Sequence, residues 1–191
     1  MSEKRGKLVV ISGPAGVGKS TIVREVLRQT GAEFSVSATT RAPRAGEVDG
    51  RDYRFVGPPA FEKMVQQGQF LEWADVFGNL YGTPAEPVRK AILEGRTILL
   101  EIDVQGGMQV ARSMPEATFV LIVPPDEAEL ERRLRGRGSE GEESLRRRLA
   151  KAQAEMEAAR ESGLYKHIVV NDDLEYSVPK VVKIVQGESS E

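Results

Sequence analysis

The chain has 191 residues, of which 40% are hydrophobic and 29% are charged, with a formal net charge of -2 and no cysteine. This length predicts one globular domain with a substantial core and leaves room for a small inserted subdomain. The charge balance gives no overall basic field for nucleic acid, and the lack of cysteine excludes disulfides and thiolate metal sites.

The first predicted elements are a strand and a helix joined by a glycine-rich loop. KLVVIS (7–12) is a short apolar run and predicts a buried strand, and STIVREVLRQT (20–30) predicts a helix that ends at Gly31. The stretch 34–82 then carries the short runs FSVSATT, DYRFV and FLEWADVFG, broken by turn signals, around one helix at about 58–67. We expect this stretch to form an inserted, more antiparallel subdomain.

The remainder of the chain alternates strand and helix patterns. Further buried strands are predicted for TILLEI (97–102), ATFVLIVP (117–124) and HIVVN (167–171). Helices are predicted at about 84–94, 104–113, 126–135, 141–162 and 173–186. This alternation indicates an α/β fold, in which a parallel sheet is flanked by helices on both faces. No apolar stretch approaches the ~20 residues that span a bilayer, and the charged start, MSEKRGK, is unlike a signal peptide. We therefore expect no membrane partner, no nucleic-acid partner and a cytoplasmic location.

A phosphate-binding motif lies between the first strand and the first helix. GPAGVGKS matches the pattern G-x-x-x-x-G-K-[ST] in the strand-then-helix context that the motif requires. Its glycines let backbone N–H groups point at phosphate oxygens, and the helix start adds a positive dipole end. Lys19 is expected to reach the β- and γ-phosphates and Ser20 to ligate Mg²⁺. We expect this loop to bind ATP or GTP through Gly13, Pro14, Ala15, Gly16, Val17, Gly18, Lys19, Ser20 and Thr21; the alternative is a glycine-rich turn that binds nothing.

A second candidate anion site lies in SVSATTRAPRAGEVDGRDYRF. Two arginines, Arg41 and Arg44, stand three residues apart in a loop rich in proline and glycine, with hydroxyls at Ser37 and Tyr53. Such a set suits a phosphate held by charge-assisted hydrogen bonds. An arginine pair on a loop is more often solvated surface, so both interpretations stay open on these residues alone.

The position of Glu72 in FLEWADVFGNLYGTP adds a candidate base-recognition residue. On an alternating strand this carboxylate faces away from Leu71 and Trp73, and in apolar surroundings it needs hydrogen-bond donors. Guanine offers two adjacent donors, N1–H and the 2-amino group, whereas adenine has an acceptor at N1. A site of this kind rejects the wrong base because the carboxylate is left unpaired. The chemistry permits guanine, although spacing alone does not select it.

Taken together, SATTRAPRAGEVDGRDYRF, FLEWADVFGNLYGTP, LLEIDVQG and GPAGVGKS resemble the guanylate kinase family, in the expected order over about 7–175. The resemblance implies a single P-loop NTPase-type domain of the nucleoside monophosphate kinase group, which converts ATP and GMP to ADP and GDP. Its core would comprise about 1–33, 83–125 and 151–187. A mixed or antiparallel GMP-binding subdomain would span about 34–82 and a helical lid about 126–150. The substrates implied are ATP and GMP, with dGMP as a further acceptor and Mg²⁺ as cofactor.

The resemblance also implies roles for individual residues around the acceptor. Ser37, Arg41, Arg44, Tyr53 and Tyr81 match the site for the GMP phosphate, and Glu72, Thr83 and Glu101 match the guanine site. The family has serine or threonine at the position of Thr83 and aspartate or glutamate at that of Glu101. Both residues therefore keep to the family pattern.

Two acidic residues follow the strand TILLEI. Ligands of open α/β sheets bind at the carboxyl ends of the strands, where Glu101 and Asp103 stand. Asp103 is accordingly predicted to lie near Mg²⁺ or its bound waters, as the second acid of a phosphate-loop site. Aspartate also suits the N-cap of the following helix, and the two roles are compatible.

The segment 126–150 is rich in arginine. Most charge runs of this kind are solvated helix faces with Glu–Arg pairs. Here Gly136, Gly138 and Gly141 interrupt the helical pattern and predict a lid-like turn flanked by arginines. The resemblance matches Arg133, Arg137 and Arg148 to phosphate-contacting lid arginines and Asn171 to the adenine pocket. Arg132, Arg135, Arg146 and Arg147 are expected at the surface.

The predicted reaction needs no general base. The acceptor is a phosphate monoester with a second pKa of about 6, so at pH 7 it is mostly a dianion. Catalysis then rests on positioning and electrostatic stabilisation, for which the candidates are Lys19, Mg²⁺, Arg41, Arg137 and Arg148. We expect the segments 34–82 and 126–150 to close when both nucleotides bind. The lone His167, at the start of a predicted strand, is expected to be structural.

Two rival functions remain for a chain with this pattern. Guanylate-kinase-like domains of scaffold proteins bind peptides, but their phosphate loops are usually degraded, whereas Gly18, Lys19 and Ser20 are intact here. Other kinases that resemble guanylate kinase act on acceptors such as sugar bisphosphates. The presence of Glu72, Tyr81 and Thr83 argues against that class.

Overall fold

The computed structural model describes residues 6–76, 78–136 and 141–188. Its elements, in chain order, are β1 (Leu8–Ser12), α1 (Lys19–Thr30), β2 (Glu33–Phe34), β3 (Ala38–Thr39), β4 (Arg54–Phe55), α2 (Pro58–Gln66), β5 (Phe70–Val76), β6 (Asn79–Pro84), α3 (Ala85–Leu93), β7 (Ile98–Glu101), α4 (Val104–Ser113), β8 (Thr118–Val123), α5 (Glu127–Arg135), α6 (Glu142–Ser162), β9 (His167–Val170) and α7 (Leu174–Gln186). The predicted helices and buried strands are all present, and none of their bounds differs from the prediction by more than one residue.

The core is a five-stranded parallel sheet in the order β2-β7-β1-β8-β9. Side chains of β1 alternate between its two faces: Val9 and Ile11 lie in one buried cluster with residues of α1 and α7, and Leu8 and Val10 lie in another with residues of α3 and α4. Strands covered on both faces have no polar side, which explains their continuous apolar runs. The predicted α/β fold with helices on both faces is confirmed.

A second, four-stranded sheet has the order β4-β3-β6-β5. Its pair β3–β4 is parallel, whereas β3–β6 and β5–β6 are antiparallel, so the sheet is mixed, as predicted for the insert. The run FSVSATT does not stay in one element, however. Glu33–Phe34 pairs with β7 in the parallel sheet, and Ala38–Thr39 pairs with β6 in the mixed sheet. The chain changes sheets here without glycine or proline, so no turn signal marked the division.

Local capping explains where several helices begin and end. The side chain of Asp126 accepts a hydrogen bond from the N–H of Glu129 at 2.7 Å, and that of Asp173 accepts from Glu175 at 2.8 Å. Helix α6 ends at Gly163, which has a φ of 60°. This helix is 21 residues long and continues well past the predicted end of the lid. Within the described part of the chain, no helix has the combination of length and apolar character needed to cross a membrane.

Candidate active site

The glycine-rich loop 13–18 connects β1 to α1 at the carboxyl edge of the parallel sheet. Two of its glycines are required by close approach of neighbouring groups. A Cβ on Gly13 would stand 2.2 Å from the carbonyl oxygen of Ile122, and a Cβ on Gly18, which has a φ of 93°, would stand 2.5 Å from the amide nitrogen of Asn171. The loop therefore fits against β8 and the end of β9 only with glycine at these positions.

Asn171, which is distant from this loop in the sequence, forms a hydrogen bond to it. Its Nδ2 donates to the carbonyl of Val17 at 2.7 Å, and its Oδ1 accepts from the hydroxyl of Ser177 at 2.8 Å. The side chain is buried, so these bonds are shielded from water. Its predicted place in an adenine pocket stays a prediction, while its contact with the loop is a second role that sequence reasoning missed.

Lys19 places a positive charge at the mouth of the loop. Its ammonium group donates to the carbonyl oxygens of Gly13 at 2.6 Å and Pro14 at 3.0 Å. The lysine is the first residue of α1, whose dipole also favours an anion at this point. Backbone curvature, helix start and ammonium group are thus brought to one place, as the motif predicts.

The carboxylate nearest to Ser20 is Glu101 rather than Asp103. The Ser20 hydroxyl donates to Glu101 Oε1 at 2.6 Å. Glu101 is the last residue of β7, which pairs with β1 in the register Ile11 to Glu101, so it reaches the edge where the loop begins. Asp103 accepts from the N–H of Gly106 at 2.8 Å and caps α4, as predicted, and its predicted position near Mg²⁺ stays a prediction.

These oxygen groups are compatible with Mg²⁺ bound together with a nucleotide. A serine hydroxyl and a carboxylate are hard ligands of the kind that Mg²⁺ prefers. Across the described ranges no group of three or more His, Cys, Asp and Glu side chains could hold a metal ion. The residues present therefore fit an ion that also takes phosphate oxygens and water, and do not fit a closed protein cage.

In the mixed sheet, three predicted acceptor residues come together. Arg41 Nε donates to the Tyr81 hydroxyl at 3.1 Å, and the Arg41 guanidinium carbon lies 5.5 Å from the centre of the Tyr53 ring. The rings of Tyr53 and Tyr81 meet edge to face at 5.9 Å. Arg41 also forms an ion pair with Glu47 at 2.8 Å, and this hydrogen bond raises the pKa of the guanidinium. Arg41 is therefore held in place on two sides.

The other two residues predicted for the acceptor phosphate lie outside this contact group. Arg44 takes part through its backbone: its N–H donates to Glu47 Oε2 at 2.7 Å, its carbonyl accepts from the Glu47 N–H at 3.1 Å, and the residue is exposed. Ser37 is half-buried, and its carbonyl accepts from the N–H of Arg54 at 2.9 Å. Their predicted phosphate contacts stay predictions. Glu47, which orders this loop through both arginines, was not singled out from the sequence.

Glu72 and Thr83 form a buried polar pair. They stand opposite each other on β5 and β6, and the Thr83 hydroxyl donates to Glu72 Oε1 at 2.6 Å. Glu72 is 7% exposed, and this burial raises the pKa of its carboxyl to about 7. The Thr83 hydrogen bond lowers that pKa and the charge of Asp103 raises it. One carboxylate oxygen is thus fixed by a hydroxyl, and the predicted guanine contact of the pair stays a prediction.

Glu101 lies between the two parts of the site. It accepts from Ser20 on the phosphate loop, and its charge also acts on Tyr53. The pKa of Tyr53 is raised mainly by burial, with smaller contributions from Tyr81 and Glu101. The predicted guanine contact of Glu101 is untested, whereas its position links the loop to the acceptor residues.

The arginine-rich segment divides into inward and outward side chains. Arg133, on α5, donates through Nη1 to the Val17 carbonyl at 3.4 Å and through Nη2 to the Asp172 carbonyl at 3.4 Å. Arg132 pairs with Glu129 and has an exposed side chain, and Arg135 pairs with Glu131, as expected of surface residues. Arg137 and Gly138 lie outside the described residues.

A cavity of about 210 Å³ lies between the phosphate loop, the β5–β6 hairpin and α6. Its lining residues are Gly13, Ala15, Lys19, Val76, Asp103, Arg148, Lys151, Ala152 and Glu155. Arg148 is among them, as a phosphate-contacting role requires. Lys151 and Glu155 were missed, although their spacing from Arg148 puts all three on one face of a helix. Lys151 Nζ lies 3.7 Å from Glu155 Oε1, and burial raises the pKa of Glu155.

Comparison with known proteins bears out the resemblance noted in the sequence. Residues 5–188 match the sequence pattern of guanylate kinases. The chain belongs to the guanylate kinase family. A guanylate kinase from Synechocystis sp. is 46% identical over 185 residues, covering 96% of this chain and 95% of that protein. One from Thermosynechococcus vestitus is 51% identical over 175 residues, covering 91% and 90% of the two chains.

The fold agrees with that of a family member of known structure. The crystal structure of guanylate kinase from Anaplasma phagocytophilum superposes with a TM-score of 0.75 at 31% sequence identity. The match covers 98% of this chain and 88% of that one. The P-loop guanylate kinase fold, with both its parallel and its mixed sheet, is therefore confirmed.

Proposed function

We propose that this protein transfers the γ-phosphoryl group of ATP to GMP in a Mg²⁺-dependent reaction, giving ADP and GDP. It would accept dGMP as well, and it would act in the cytoplasm, where both nucleotides are available. The observation that carries the proposal is the buried Glu72–Thr83 pair in a family member whose phosphate loop is intact. Such a pair is a base reader, and a peptide-binding module of this fold has no use for it.

Guanine selection follows from the chemistry of Glu72. An ionised carboxylate with one oxygen bonded to Thr83 still has acceptor capacity for the N1–H and 2-amino group of guanine. Adenine would present an acceptor at N1 and leave the buried charge unpaired, which costs about 1.5–3 kcal/mol or more. The same argument disfavours cytosine, whose N3 is an acceptor.

Phosphoryl transfer would proceed by positioning and charge stabilisation. Lys19 and the loop N–H groups would hold the donor phosphates, and Arg41 with Tyr81 would hold the acceptor phosphate. Mg²⁺ bound with ATP would supply charge neutralisation at the β- and γ-phosphates, held by the Ser20 hydroxyl and, through water, by Glu101 or Asp103. Since the acceptor is mostly a dianion at pH 7, no side chain needs to remove a proton.

Closure would complete the site from two directions. Arg148 comes from α6 and Val76 from the end of the β5–β6 hairpin, and both line the cavity beside Lys19. We propose that Arg148 and Arg137 neutralise the transferring group once both substrates are bound. Drawing the two segments together would also exclude water and so suppress hydrolysis of ATP.

The test compares acceptors in parallel. ADP formation from Mg²⁺-ATP is measured with GMP, dGMP, AMP, CMP, UMP and no acceptor, for the wild type, Glu72→Gln and the control Glu62→Gln, an exposed glutamate on α2. We expect the wild type to turn over with GMP and dGMP only. Glu72→Gln should lose this turnover, whereas the control Glu62→Gln should keep it. ATP binding without turnover of any nucleotide would contradict the proposal and point to a sugar phosphate or peptide partner.

A further inference from the structure

The edge strand of the mixed sheet is held by one side chain of a core helix. Gln109, on α4, accepts a hydrogen bond from the N–H of Trp73 at 3.2 Å through Oε1. Its Nε2 donates to the carbonyl of the same residue at 3.1 Å. The carboxamide therefore satisfies both backbone groups of Trp73, as a neighbouring strand would do.

This contact stands at a place where the sheet has no further strand. β5 is at the end of the order β4-β3-β6-β5, so the outward N–H and C=O groups of Trp73 face α4 instead of a partner strand. Two bonds from one planar amide fix both the position and the rotation of the backbone at that residue. A single bond, or a bond to water, would leave the strand free to turn.

The neighbouring residues of β5 rest on the same helix. Gly106 lies one turn before Gln109 on α4, and a Cβ there would stand 3.2 Å from Glu72 Oε2. Leu71 is buried in the apolar cluster that contains Val104 and Val110 of α4. Three consecutive residues of β5 thus lie against α4, with Glu72 in the middle.

We propose that Gln109 is a positioning residue for guanine selection. By fixing the backbone at Trp73, it sets the angle at which the Glu72 carboxylate meets N1–H and the 2-amino group. Paired hydrogen bonds to two adjacent donors tolerate only about 0.5 Å or 10–20° of misplacement. The inference rests on the proposed function, because it concerns the same acceptor site and leaves the donor site unchanged.

A purely structural role for Gln109 makes different predictions. If the amide only stabilised the fold, its loss would lower the melting temperature and would affect ATP and GMP alike. If Gln109 positions Glu72, replacing Gln109 weakens binding of the acceptor nucleotide and not of ATP. The preference for GMP over IMP is reduced most, since IMP retains N1–H and lacks the 2-amino group.

The experiment uses Gln109→Met, which keeps the length and helix propensity of glutamine and removes both hydrogen bonds. Its matched control is Gln66→Met, at an exposed glutamine on α2. For each protein we would measure kcat, KM for GMP, IMP and ATP, the melting temperature, and GMP affinity by calorimetry without ATP. Gln109→Glu, which retains the acceptor and loses the donor, is the intermediate variant.

We expect the KM and dissociation constant for GMP to rise about fivefold to tenfold in Gln109→Met, with the preference for GMP over IMP reduced. The KM for ATP should stay within about twofold, Gln109→Glu should fall in between, and Gln66→Met should match the wild type. An unchanged GMP constant, or an equal rise for ATP and GMP with a lower melting temperature, would overturn the inference. Failure of the proposed function is separately visible, because the wild-type protein would then not phosphorylate GMP.

Discussion

The parallel sheet and the mixed sheet build their parts of the site in different ways. In the parallel sheet the phosphate loop is shaped by backbone conformation and glycine, between buried strands with apolar clusters on both faces. In the mixed sheet β3 and β4 are two residues long, and the predicted recognition groups are the side chains of Arg41, Glu72 and Tyr81. On the proposed function, backbone groups of the loop would therefore bind the donor phosphates, and side chains that depend on polar supports would bind the acceptor.

This difference has a consequence for stability. The core clusters contain only groups that favour burial, whereas Glu72 is buried at a cost that its pKa of about 7 records. A carboxylate whose burial destabilises the free protein is well suited to bind a ligand that supplies two hydrogen-bond donors. On the proposed function, the acceptor region would thus give up stability for selectivity at Glu72.

The largest expected effect tests the donor region. Replacing Lys19 by Met removes the ammonium beside the loop while leaving the apolar clusters intact, so the fold should be retained. We expect kcat to fall by about 10³, because a charge that stabilises the transferring phosphoryl group is lost. The measurement is steady-state ADP formation with saturating GMP. Lys63→Met, at an exposed lysine of α2, is the control and should retain wild-type kcat. A loss below tenfold would show that the backbone alone supports transfer.

The next effect concerns stability in the acceptor region. The pKa of Glu72 is raised in the folded protein above its usual value of 4.5, so the folded state binds the proton more tightly. Stability is therefore highest while the group is protonated and falls as the pH rises through about 7. At pH 8 Glu72→Gln should be more stable than the wild type by about 1–3 kcal/mol. Denaturant unfolding at pH 8 and pH 5 measures this, and the gain should shrink at pH 5. If the stability gain of Glu72→Gln over the wild type were the same at pH 8 and pH 5, burial would not destabilise the ionised carboxyl of Glu72.

The sequence was sufficient where structure is determined by neighbours in the chain. The loop 13–18 follows from its motif, and the placement of Glu72 and Thr83 on one hairpin follows from two strand patterns joined by a short turn. The cap formed by Asp103 follows from its place directly before α4. In each case residues at most 11 positions apart decide the geometry, and local propensity or register carries the information.

The sequence was insufficient where sheet order or long-range packing decides. Glu101 reaches Ser20 only because β7 lies next to β1, an order that a list of strands does not contain. Asn171 bonds to Val17 across 154 positions, and Gln109 bonds to Trp73 across 36. These contacts join elements by tertiary packing, so neither spacing nor composition marks the residues beforehand.

A third prediction sharpens the comparison through pH. GMP should bind to the ionised form of Glu72, and with a pKa of about 7 the ionised fraction falls steeply below neutrality. The KM for GMP should therefore rise about tenfold between pH 8 and pH 6, while the KM for ATP, read by the donor region, changes less. The GMP phosphate also titrates near pH 6. GMP binding to Glu72→Gln over the same range isolates that contribution. An identical pH dependence in the variant and the wild type would remove Glu72 as the titrating group.

The smallest expected effect lies where the two regions meet. Lys151 lines the cavity between the phosphate loop and the β5–β6 hairpin, 3.7 Å from the buried Glu155. A lysine placed four residues before its glutamate gives the less favourable orientation of a helical ion pair, so the pair adds little to α6 itself. We expect Lys151→Met to lower kcat/KM for ATP about fivefold, and Lys151→Arg to restore it, because only the positive charge near the phosphates is needed. Comparison of ATP with ADP binding locates that charge: a loss confined to ATP places it at the terminal phosphate. An equal loss of binding for both nucleotides would instead assign Lys151 to the packing of α6. The control Lys180→Met, at an exposed lysine of α7, should change the binding of neither nucleotide.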